Sequence, residues 1–312
     1  MILTVTLNAS IDRRFVVKKF AGGKSNRVKT CVCTPGGKGL NVTRCVKTMG
    51  EDVLATGFLG GHTGKLLEEL LQEDQVKTDF YYLKKESRCC INIFDETDGS
   101  QTEFLEPGFN VTEDELQGFL GKYEKLVDKA DVVVMSGSLP TGICGDSYQR
   151  LIQIAKKAGK KVILDTSGNA LKLGIEAMPD MIKPNIDEIC MLTGNYDIDE
   201  SALAAAAEKI HRQGVGVVVI SLGEKGSLIV SNEGTFRAEV PAIEPVNTVG
   251  CGDAMIAGYA IGMKRRLGIE EAIRLGSAIS VSAALQETTG VFMEKDMRRV
   301  LPQIKVFRLQ KS

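Results

Sequence analysis

The sequence predicts an α/β fold of three layers, in which helices cover both faces of a mostly parallel central sheet and a smaller sheet lies beside it. The first observation is a series of short, wholly apolar runs, which are typical of strands buried on both faces. These runs lie at residues 132–135, 162–164, 181–182, 217–220 and 227–230. The second is that helical patterns, at 148–157 and 201–213, alternate with these runs. The third is a pair of late helices rich in Ala, Gly and Ser, at 253–264 and 269–285, which should pack closely.

Two segments interrupt this alternation and predict the smaller sheet. Residues 11–33 and 88–106 show period-2 patterns around the turn signals Gly22-Gly23 and Asp98-Gly99. We interpret both as insertions into one domain that spans residues 1–312. A thin sheet has to cover something, so we expect it to act as a lid over a functional site or against a second subunit.

The composition excludes several functional classes. The chain has 312 residues, 43% of them hydrophobic, a net charge of -1 and a pI of about 6.2, so no basic excess indicates nucleic acid or an anionic membrane surface. No apolar run approaches the ~18 residues that span a bilayer. The first ten residues lack the pattern of a signal peptide. We therefore expect a cytoplasmic protein.

The cysteine and histidine content argues against disulfides and zinc. No two cysteines form a CxxC pair, which in a chain of this length predicts free thiols. The eight cysteines are Cys31, Cys33, Cys45, Cys89, Cys90, Cys144, Cys190 and Cys251. His62 and His211 are the only histidines, and neither has neighbours at zinc-ligand spacing.

The strongest local motif is the run Thr-Val-Gly-Cys-Gly-Asp at residues 248–253, where a glycine turn opens an apolar helix. Backbone N–H groups at such a turn, with the helix dipole, form a hole for an anion such as a transferring phosphoryl group. Asp253 in the first turn can accept a proton from an attacking hydroxyl. The alternative is that Asp253 is simply an acidic residue at a helix start, where acids are favoured.

A second motif, Pro-Gly-Gly-Lys-Gly-Leu-Asn at residues 35–41, precedes an amphipathic helix. It lacks the spacing of a P-loop. Its glycines let the backbone approach a ligand, and Lys38 and Asn41 offer hydrogen-bond donors, although an ordinary turn would also fit. Further polar turns follow apolar runs at 136–140, 183–188 and 221–226, the edge where open α/β sheets bind ligands. A glycine-rich stretch at 57–64 is a weaker signal.

These motifs resemble the two signatures of the ribokinase-like PfkB family of carbohydrate kinases. The first signature matches at Gly36, Gly37, Gly39, Asn41, Thr43, Gly50 and Gly60, and the second covers residues 247–260. The resemblance extends over nearly the whole chain, including TLNASID at its start. One position departs, because Cys251 stands where the family has Ala, Gly or Ser.

The resemblance implies ATP and Mg²⁺ as cofactors and a role for each matching residue. The implied base is Asp253, and the implied anion hole is formed by Gly250, Cys251 and Gly252. The resemblance assigns the sugar hydroxyls to Asp12, Gly37, Lys38 and Asn41, and a sugar phosphate to Arg27, Arg88 and Ser138. It assigns Mg²⁺ and the nucleotide to Asn185 and Glu188, with Glu188 acting indirectly, and the ATP side to Ser221, Gly223 and Gly226.

Within the family the chain resembles the phosphosugar branch, and Lys24, Arg27, Lys38 and Arg88 supply cations that a neutral sugar would not need. Residues 36–44 and 53–57 most resemble the members of this branch that act on tagatose 6-phosphate, so the resemblance implies that substrate first, with a 1,6-bisphosphate as product. Fructose 1-phosphate and fructose 6-phosphate stay open as alternatives. So does a non-catalytic sensor of sugar phosphate or nucleotide, although a dehydrogenase is disfavoured because no GxGxxG follows the first strand.

The family's lid sheet often clasps a second subunit, so we expect a homodimer in which two lids pack face to face. The outer face of the lid is predicted to be apolar, which is typical of an interface. Its expected residues are Phe15, Val17, Cys89, Ile91, Ile93 and Phe104.

Overall fold

The computed structural model describes residues 1–196 and 199–309. Its main sheet has the strand order β15-β14-β13-β12-β11-β10-β9-β1-β4-β5, and β6 also pairs with β4. These strands are β1 (Ile2–Thr6), β4 (Val53–Gly60), β5 (Lys77–Thr78), β6 (Tyr81–Leu83), β9 (Val132–Ser136), β10 (Lys161–Asp165), β11 (Met181–Ile182), β12 (Val217–Ser221), β13 (Ser227–Ser231), β14 (Gly234–Glu239) and β15 (Lys305–Leu309). Pairing is parallel from β12 to β5 and β6, and antiparallel from β12 to β15.

Helices cover both faces of this sheet. They are α1 (Lys38–Thr48), α2 (Gly61–Glu73), α3 (Glu113–Val127), α4 (Ser147–Lys157), α5 (Gly168–Glu176), α6 (Ile186–Thr193), α7 (Glu200–Arg212), α8 (Cys251–Arg265), α9 (Ile269–Ala284) and α10 (Glu294–Val300). The five predicted strands and four predicted helices all form, with ends that differ by one or two residues. The sequence interpretation missed the antiparallel edge formed by β14 and β15.

The alternation of side chains along each strand produces two cores. Val133 and Met135 of β9 point into a core shared with α3, α4, α5 and α7, whereas Val132 and Val134 point into a core shared with α1, α8, α9 and α10. A strand whose successive side chains are all apolar must be covered on both faces. This confirms the predicted three-layer α/β architecture.

The late helices α8 and α9 pack as closely as their composition predicted. A Cβ atom on Gly258 of α8 would lie 2.4 Å from the Cα atom of Gly276 on α9, so the two backbones meet where no side chain fits. This close contact holds α8, whose first turn carries Asp253, against the body of the protein.

The second sheet has the order β3-β2-β7-β8 within the described residues, and we call it the lid. Its strands are β2 (Ser10–Val17), β3 (Val28–Gly36), β7 (Arg88–Asp95) and β8 (Gln101–Leu105). The central pair, β2 and β7, is parallel, and each is joined to its outer neighbour by an antiparallel hairpin. β3 continues further than predicted, to Gly36, so the start of the second glycine motif belongs to the lid.

The strand register assigns each lid residue to one of two faces. Arg13, Cys33, Ile91 and Phe104 lie side by side on one face, and Asp12 and Cys90 lie side by side on the other. The first face carries five of the six apolar residues predicted for it, and Phe104 is 53% exposed. The prediction was wrong for Val17, which is 2% exposed at the end of β2, where a β-bulge interrupts the pairing with β3.

No helix in residues 1–196 and 199–309 is both long and apolar enough to cross a bilayer. All eight cysteines carry free thiols, as predicted.

Candidate active site

A cavity of about 510 Å³ lies between the lid and the carboxyl edge of the parallel strands. Residues that follow four neighbouring strands line its floor, since the carboxyl ends of parallel strands meet at one edge of a sheet. They are Thr6 at the end of β1 and Asn8 just after it, Gly137 and Ser138 after β9, Thr166 and Ser167 after β10, and Lys183 after β11. The cavity also contains nine of the residues predicted from the sequence: Asp12, Gly37, Lys38, Asn41, Arg88, Ser138, Gly250, Gly252 and Asp253.

Two glycines shape the turn before α8. Gly250 adopts a φ of 81°, a left-handed conformation that favours glycine, and acts as the N-cap of α8. A Cβ atom on Gly252 would lie 3.0 Å from the Nζ of Lys183, so a small residue is needed there. The N–H of Cys251 already donates to the Thr248 carbonyl at 3.3 Å. An incoming oxygen would therefore have to compete for that amide.

The Cys251 thiol is partly buried, packs against the core beneath α8 and donates weakly to the Asn247 carbonyl at 3.8 Å. Burial, together with the nearby charge of Asp253, raises the pKa of the thiol to about 11. A thiol with that pKa stays protonated at neutral pH and is a weak nucleophile. The unusual residue in the second signature therefore adds no reactive group to the site.

Asp253 is 5% exposed, and its carboxylate faces the cavity. The Nδ2 of Asn41, on α1, donates to its Oδ2 at 2.8 Å and fixes its orientation. Burial, followed by the charge of Asp165, raises the pKa of Asp253 to about 7, although Lys38, Asn41 and Lys183 act in the opposite direction. A buried carboxylate with a raised pKa, held at a helix N-terminus, is suited to accept a proton near neutral pH.

A buried charge cluster surrounds this carboxylate. The Nζ of Lys38 lies 3.4 Å from one oxygen of Asp165, and the Nζ of Lys183 lies 3.6 Å from the other. Asp165 and Lys183 are almost fully buried. The charge of Asp165 raises the pKa of Lys38, which keeps this ammonium group charged at the cavity wall. The cluster therefore offers two cations next to the turn before α8.

Asp12 enters the cavity from the lid, and its carboxylate lies against the backbone of Gly36. A Cβ atom on Gly36 would lie 2.1 Å from that carboxylate, so only glycine leaves room for it. Ser10 Oγ donates to Asp12 Oδ1 at 2.7 Å. Burial raises the pKa of Asp12, and the hydrogen bond from Ser10 and the charge of Arg88 lower it.

Arg88 is anchored at the end of the cavity that lies near β1 and β9. Its Nε donates to the Asn8 carbonyl at 3.0 Å, and its Nη1 donates to the Glu106 carbonyl at 3.2 Å. The Nδ2 of Asn8 donates to Ser138 Oγ at 3.2 Å. Because two carbonyls hold the guanidinium beside the Asn8–Ser138 pair, its remaining N–H groups are available for a ligand in the cavity.

Several predicted residues lie outside this cavity. Arg27 is exposed in the connection between β2 and β3 and does not line it. Ser221, Gly223 and Gly226 lie at the end of β12 and in the turn that follows, and Asn185 forms an isolated bridge with Ser221.

Asn185 and Glu188 have a structural role that the sequence interpretation did not include. Glu188 N–H donates to Asn185 Oδ1 at 2.8 Å, and Asn185 N–H donates to Glu188 Oε2 at 2.9 Å. This reciprocal pair is the capping box that starts α6. Glu188 nevertheless lies near the site, since its charge contributes to the raised pKa of Lys38.

Sequence reasoning missed some residues of the site. Asp165 and Lys183 were not among the expected site residues, although each stands at the carboxyl end of a buried strand, which is the signal that could have found them. Arg14 and Glu287 also line the cavity, and no spacing pattern in the sequence marks them. Asn8 lines it too and falls in the TLNASID stretch, which was given no role at that position.

Comparison with known proteins places this site in a family. The family model for pfkB family carbohydrate kinase matches residues 3–296. The chain belongs to the pfkB family of carbohydrate kinases. This pfkB kinase is 38% identical over 313 aligned positions to the tagatose-6-phosphate kinase of Staphylococcus epidermidis, covering 99% of this chain and 100% of the relative.

Solved structures of pfkB kinases have the same fold. The phosphofructokinase-2 of Escherichia coli in complex with potassium is 29% identical and superposes with a TM-score of 0.91, covering 97% of this chain and 98% of that one. A possible 1-phosphofructokinase of Thermotoga maritima is 28% identical, with a TM-score of 0.91 and coverage of 99% and 100%. These matches confirm the ribokinase-like fold of this pfkB kinase.

Proposed function

We propose that this protein transfers the γ-phosphoryl group of ATP to a hydroxyl group of a ketohexose monophosphate, and that tagatose 6-phosphate is its favoured substrate. The observation that carries the proposal is the buried Asp253 carboxylate, held by Asn41 in the first turn of α8 with its pKa raised to about 7. Family membership supports ATP as the donor. The relatives named above, which include a tagatose-6-phosphate kinase and phosphofructokinases, support a phosphorylated ketohexose as the acceptor.

In the proposed reaction, the sugar hydroxyl oxygen forms a bond to the γ-phosphorus and its proton passes to Asp253. The bond between the γ-phosphorus and the bridging oxygen breaks, and its electron pair leaves with ADP. Charge develops on the non-bridging oxygens during this transfer. The N–H groups of Gly250 and Gly252, the dipole of α8 and the ammonium group of Lys38 are placed to stabilise that charge.

Mg²⁺ fits this site as a partner of the nucleotide rather than of a protein cage. No group of three or more His, Cys, Asp or Glu side chains within the described ranges is placed to hold a metal ion. Mg²⁺ bound to ATP would neutralise charge on the β- and γ-phosphates. We propose that Glu188 acts on it indirectly, and that Asn185, Ser221, Gly223 and Gly226 lie along the remainder of the nucleotide.

The sugar phosphate is proposed to bind at Arg88, Ser138 and Asn8, and the sugar hydroxyls at Asp12, Lys38 and Asn41. A bound phosphate would use the guanidinium N–H groups that the Asn8 and Glu106 carbonyls leave available. Arg27 lies away from the cavity of its own subunit. We therefore propose that any contact between Arg27 and a sugar phosphate is made in the cavity of a second subunit.

We propose a homodimer formed through the lid, which would bring about this arrangement. The lid face that points away from Asp12 carries half-buried Phe15, Cys89, Ile91 and Ile93 and exposed Phe104. An apolar face of this kind would be covered by the same face of a second copy. The inhibited form of the E. coli phosphofructokinase-2 is tetrameric, so a relative with this fold does self-associate.

A substrate panel tests the proposed function. ADP release would be measured with tagatose 6-phosphate, fructose 6-phosphate and fructose 1-phosphate at a fixed ATP concentration, with fructose as the unphosphorylated control. We expect the highest kcat/KM with tagatose 6-phosphate and the lowest with fructose. A preference for fructose 1-phosphate would mean that the bound sugar carries its phosphate at the opposite end, and it would favour the 1-phosphofructokinase alternative. Binding without turnover of any sugar would support the sensor alternative.

A further inference from the structure

Arg14 lies in the cavity, and the proposed phosphoryl transfer gives it no role. It follows Asp12 by two residues on β2, so both side chains lie on the cavity face of the lid. The Arg14 side chain is only 18% exposed, although arginine is among the residues least often buried. An arginine in this position has to serve either the lid or a ligand.

The guanidinium of Arg14 is oriented by one lid residue and held loosely by one residue of the body. Its Cζ lies 5.0 Å from the ring centroid of Phe94, a cation–π contact that fixes its position on the lid. Its Nη1 lies 3.5 Å from Glu287 Oε2, at the limit of a hydrogen bond, and the Glu287 side chain is 78% exposed. Its Nε is buried and has no hydrogen-bond acceptor within the described residues. Most of the donor capacity of this cation is therefore unused.

The contact with Glu287 places Arg14 beside the turn before α8. The Glu287 carbonyl accepts a hydrogen bond from Asn247 Nδ2 at 3.1 Å, and Asn247 Oδ1 accepts one from Val249 N–H at 3.0 Å. Asn247 and Val249 lead directly into the glycine turn at Gly250. By contrast, Arg88 is anchored next to Asn8 and Ser138, at the first residues of the lid strands. Of the lid's arginines, two therefore lie on the same face as Asp12, one at the proposed end for the sugar phosphate and one near the reacting end.

We propose that Arg14 moves from Glu287 to the γ-phosphoryl group of ATP and binds its non-bridging oxygens during transfer. This inference rests on the proposed kinase function. Arg14 exchanges no proton: the hydroxyl proton still passes to Asp253 and the electron pair still leaves with ADP. A guanidinium can bind two phosphoryl oxygens at once, and a single exposed carboxylate at 3.5 Å is a weak competitor. Because the arginine belongs to the lid, full stabilisation of the phosphoryl group would require the lid to be closed over the sugar.

The test compares Arg14→Ala, Arg14→Lys and Glu287→Gln with Lys18→Ala, which removes an exposed lid cation just beyond β2. We expect Arg14→Ala to lower kcat about 10²-fold, as for the loss of one donor to a developing charge, with the KM for the phosphosugar changed less than about threefold. Arg14→Lys should recover part of kcat. Lys18→Ala should stay within a few-fold of wild type, and Glu287→Gln, which removes only the competing carboxylate charge, should lower kcat far less than Arg14→Ala.

A binding measurement gives a readout that does not depend on turnover. Affinity would be measured by calorimetry for ADP alone and for ADP with aluminium fluoride, which mimics the transferring phosphoryl group, in the presence of phosphosugar. We expect Arg14→Ala to weaken the aluminium fluoride complex about 10²-fold and ADP binding less than threefold. If Arg14→Ala fails to fold, Arg14→Lys carries the same comparison.

Three results would overturn the inference. Equal losses in Arg14→Ala and Glu287→Gln would mean that only the ion pair matters. A raised phosphosugar KM with unchanged kcat would place Arg14 at the sugar phosphate. Unchanged binding of the aluminium fluoride complex would remove the phosphoryl contact. A wild-type protein that phosphorylates no ketohexose phosphate would instead contradict the proposed function.

Discussion

The body edge and the lid contribute to the cavity in different ways. At the body edge, two kinds of group face the cavity. The first is the backbone amides at Gly250 and Gly252, and the second is the carboxylates and ammonium groups that are almost fully buried at the ends of parallel strands. In the lid, they are side chains on one face of a thin sheet whose other face is apolar and partly exposed. The body can therefore hold reacting groups rigidly, whereas the lid can close on a substrate and select it. The following variants separate these two contributions.

The largest expected effect is at the body edge. Replacing Asp253 with Asn should lower kcat by about 10²–10⁴-fold, because the amide cannot accept the hydroxyl proton. The turn before α8 should be unaffected, so ATP affinity should change little. Single-turnover kinetics and ATP binding by calorimetry measure the two quantities. More than about a tenth of the wild-type kcat in the mutant would exclude Asp253 as the base.

The next effect belongs to the lid. Replacing Arg88 with Ala should raise the KM for the phosphosugar about 10- to 100-fold, which corresponds to the loss of a charge-assisted hydrogen bond of about 1.5–3 kcal/mol. The KM for ATP should change far less. Steady-state kinetics with each substrate varied in turn measure the split, and Lys84→Ala, which removes a nearby exposed cation, is the matched control. Similar increases in both KM values would contradict a role at the sugar phosphate.

The pH dependence of kcat/KM should follow the protonation of the Asp253 carboxylate. Burial raises the pKa of Asp253 to about 7. A base must be unprotonated, so kcat/KM should be constant above that pH and fall about tenfold per unit as pH decreases below it. A profile of kcat/KM from pH 5 to pH 9 measures the acidic limb, with KM followed separately because the phosphosugar also titrates in this range. A flat profile down to pH 5 would mean that the carboxylate has an ordinary pKa in the working enzyme.

The smallest effect tests whether the lid serves two purposes. Replacing Ile91 with Lys puts a charge on the apolar lid face, so it should weaken the dimer and raise the phosphosugar KM by several-fold together. Sedimentation velocity and kinetics on the same samples compare the two changes. Phe307→Lys, on edge strand β15 and 46% exposed, is the control. A wild-type monomer at micromolar concentration with full activity would remove the coupling between lid and dimer and leave the kinase assignment intact.

The same contrast explains what the sequence could predict. The body was predictable because fully apolar strands and glycine turns leave local patterns, and all five predicted strands formed. Asp253 was predictable because it follows a glycine turn directly. Asp165 was missed because its partners, Lys38 and Lys183, are distant in sequence and only the sheet brings them together. The lid strands were predictable, but the burial of Val17 and the contact of Arg14 with Glu287 depend on tertiary packing.

The attachment of the lid has a consequence for how new specificities arise. Ser10 pairs with both Gly36 and Arg88, so the beginnings of β2 and β7 and the end of β3 meet in one row beside the cavity. The lid is joined to the body along this row and otherwise consists of two short hairpins. Mutations in these hairpins can accumulate, and whole hairpins can be exchanged between paralogues, without disturbing the strands and helices that carry the chemistry. Apart from Arg14, the lid's share of the sugar contacts and the body's share of phosphoryl transfer thus lie in separate stretches of the chain.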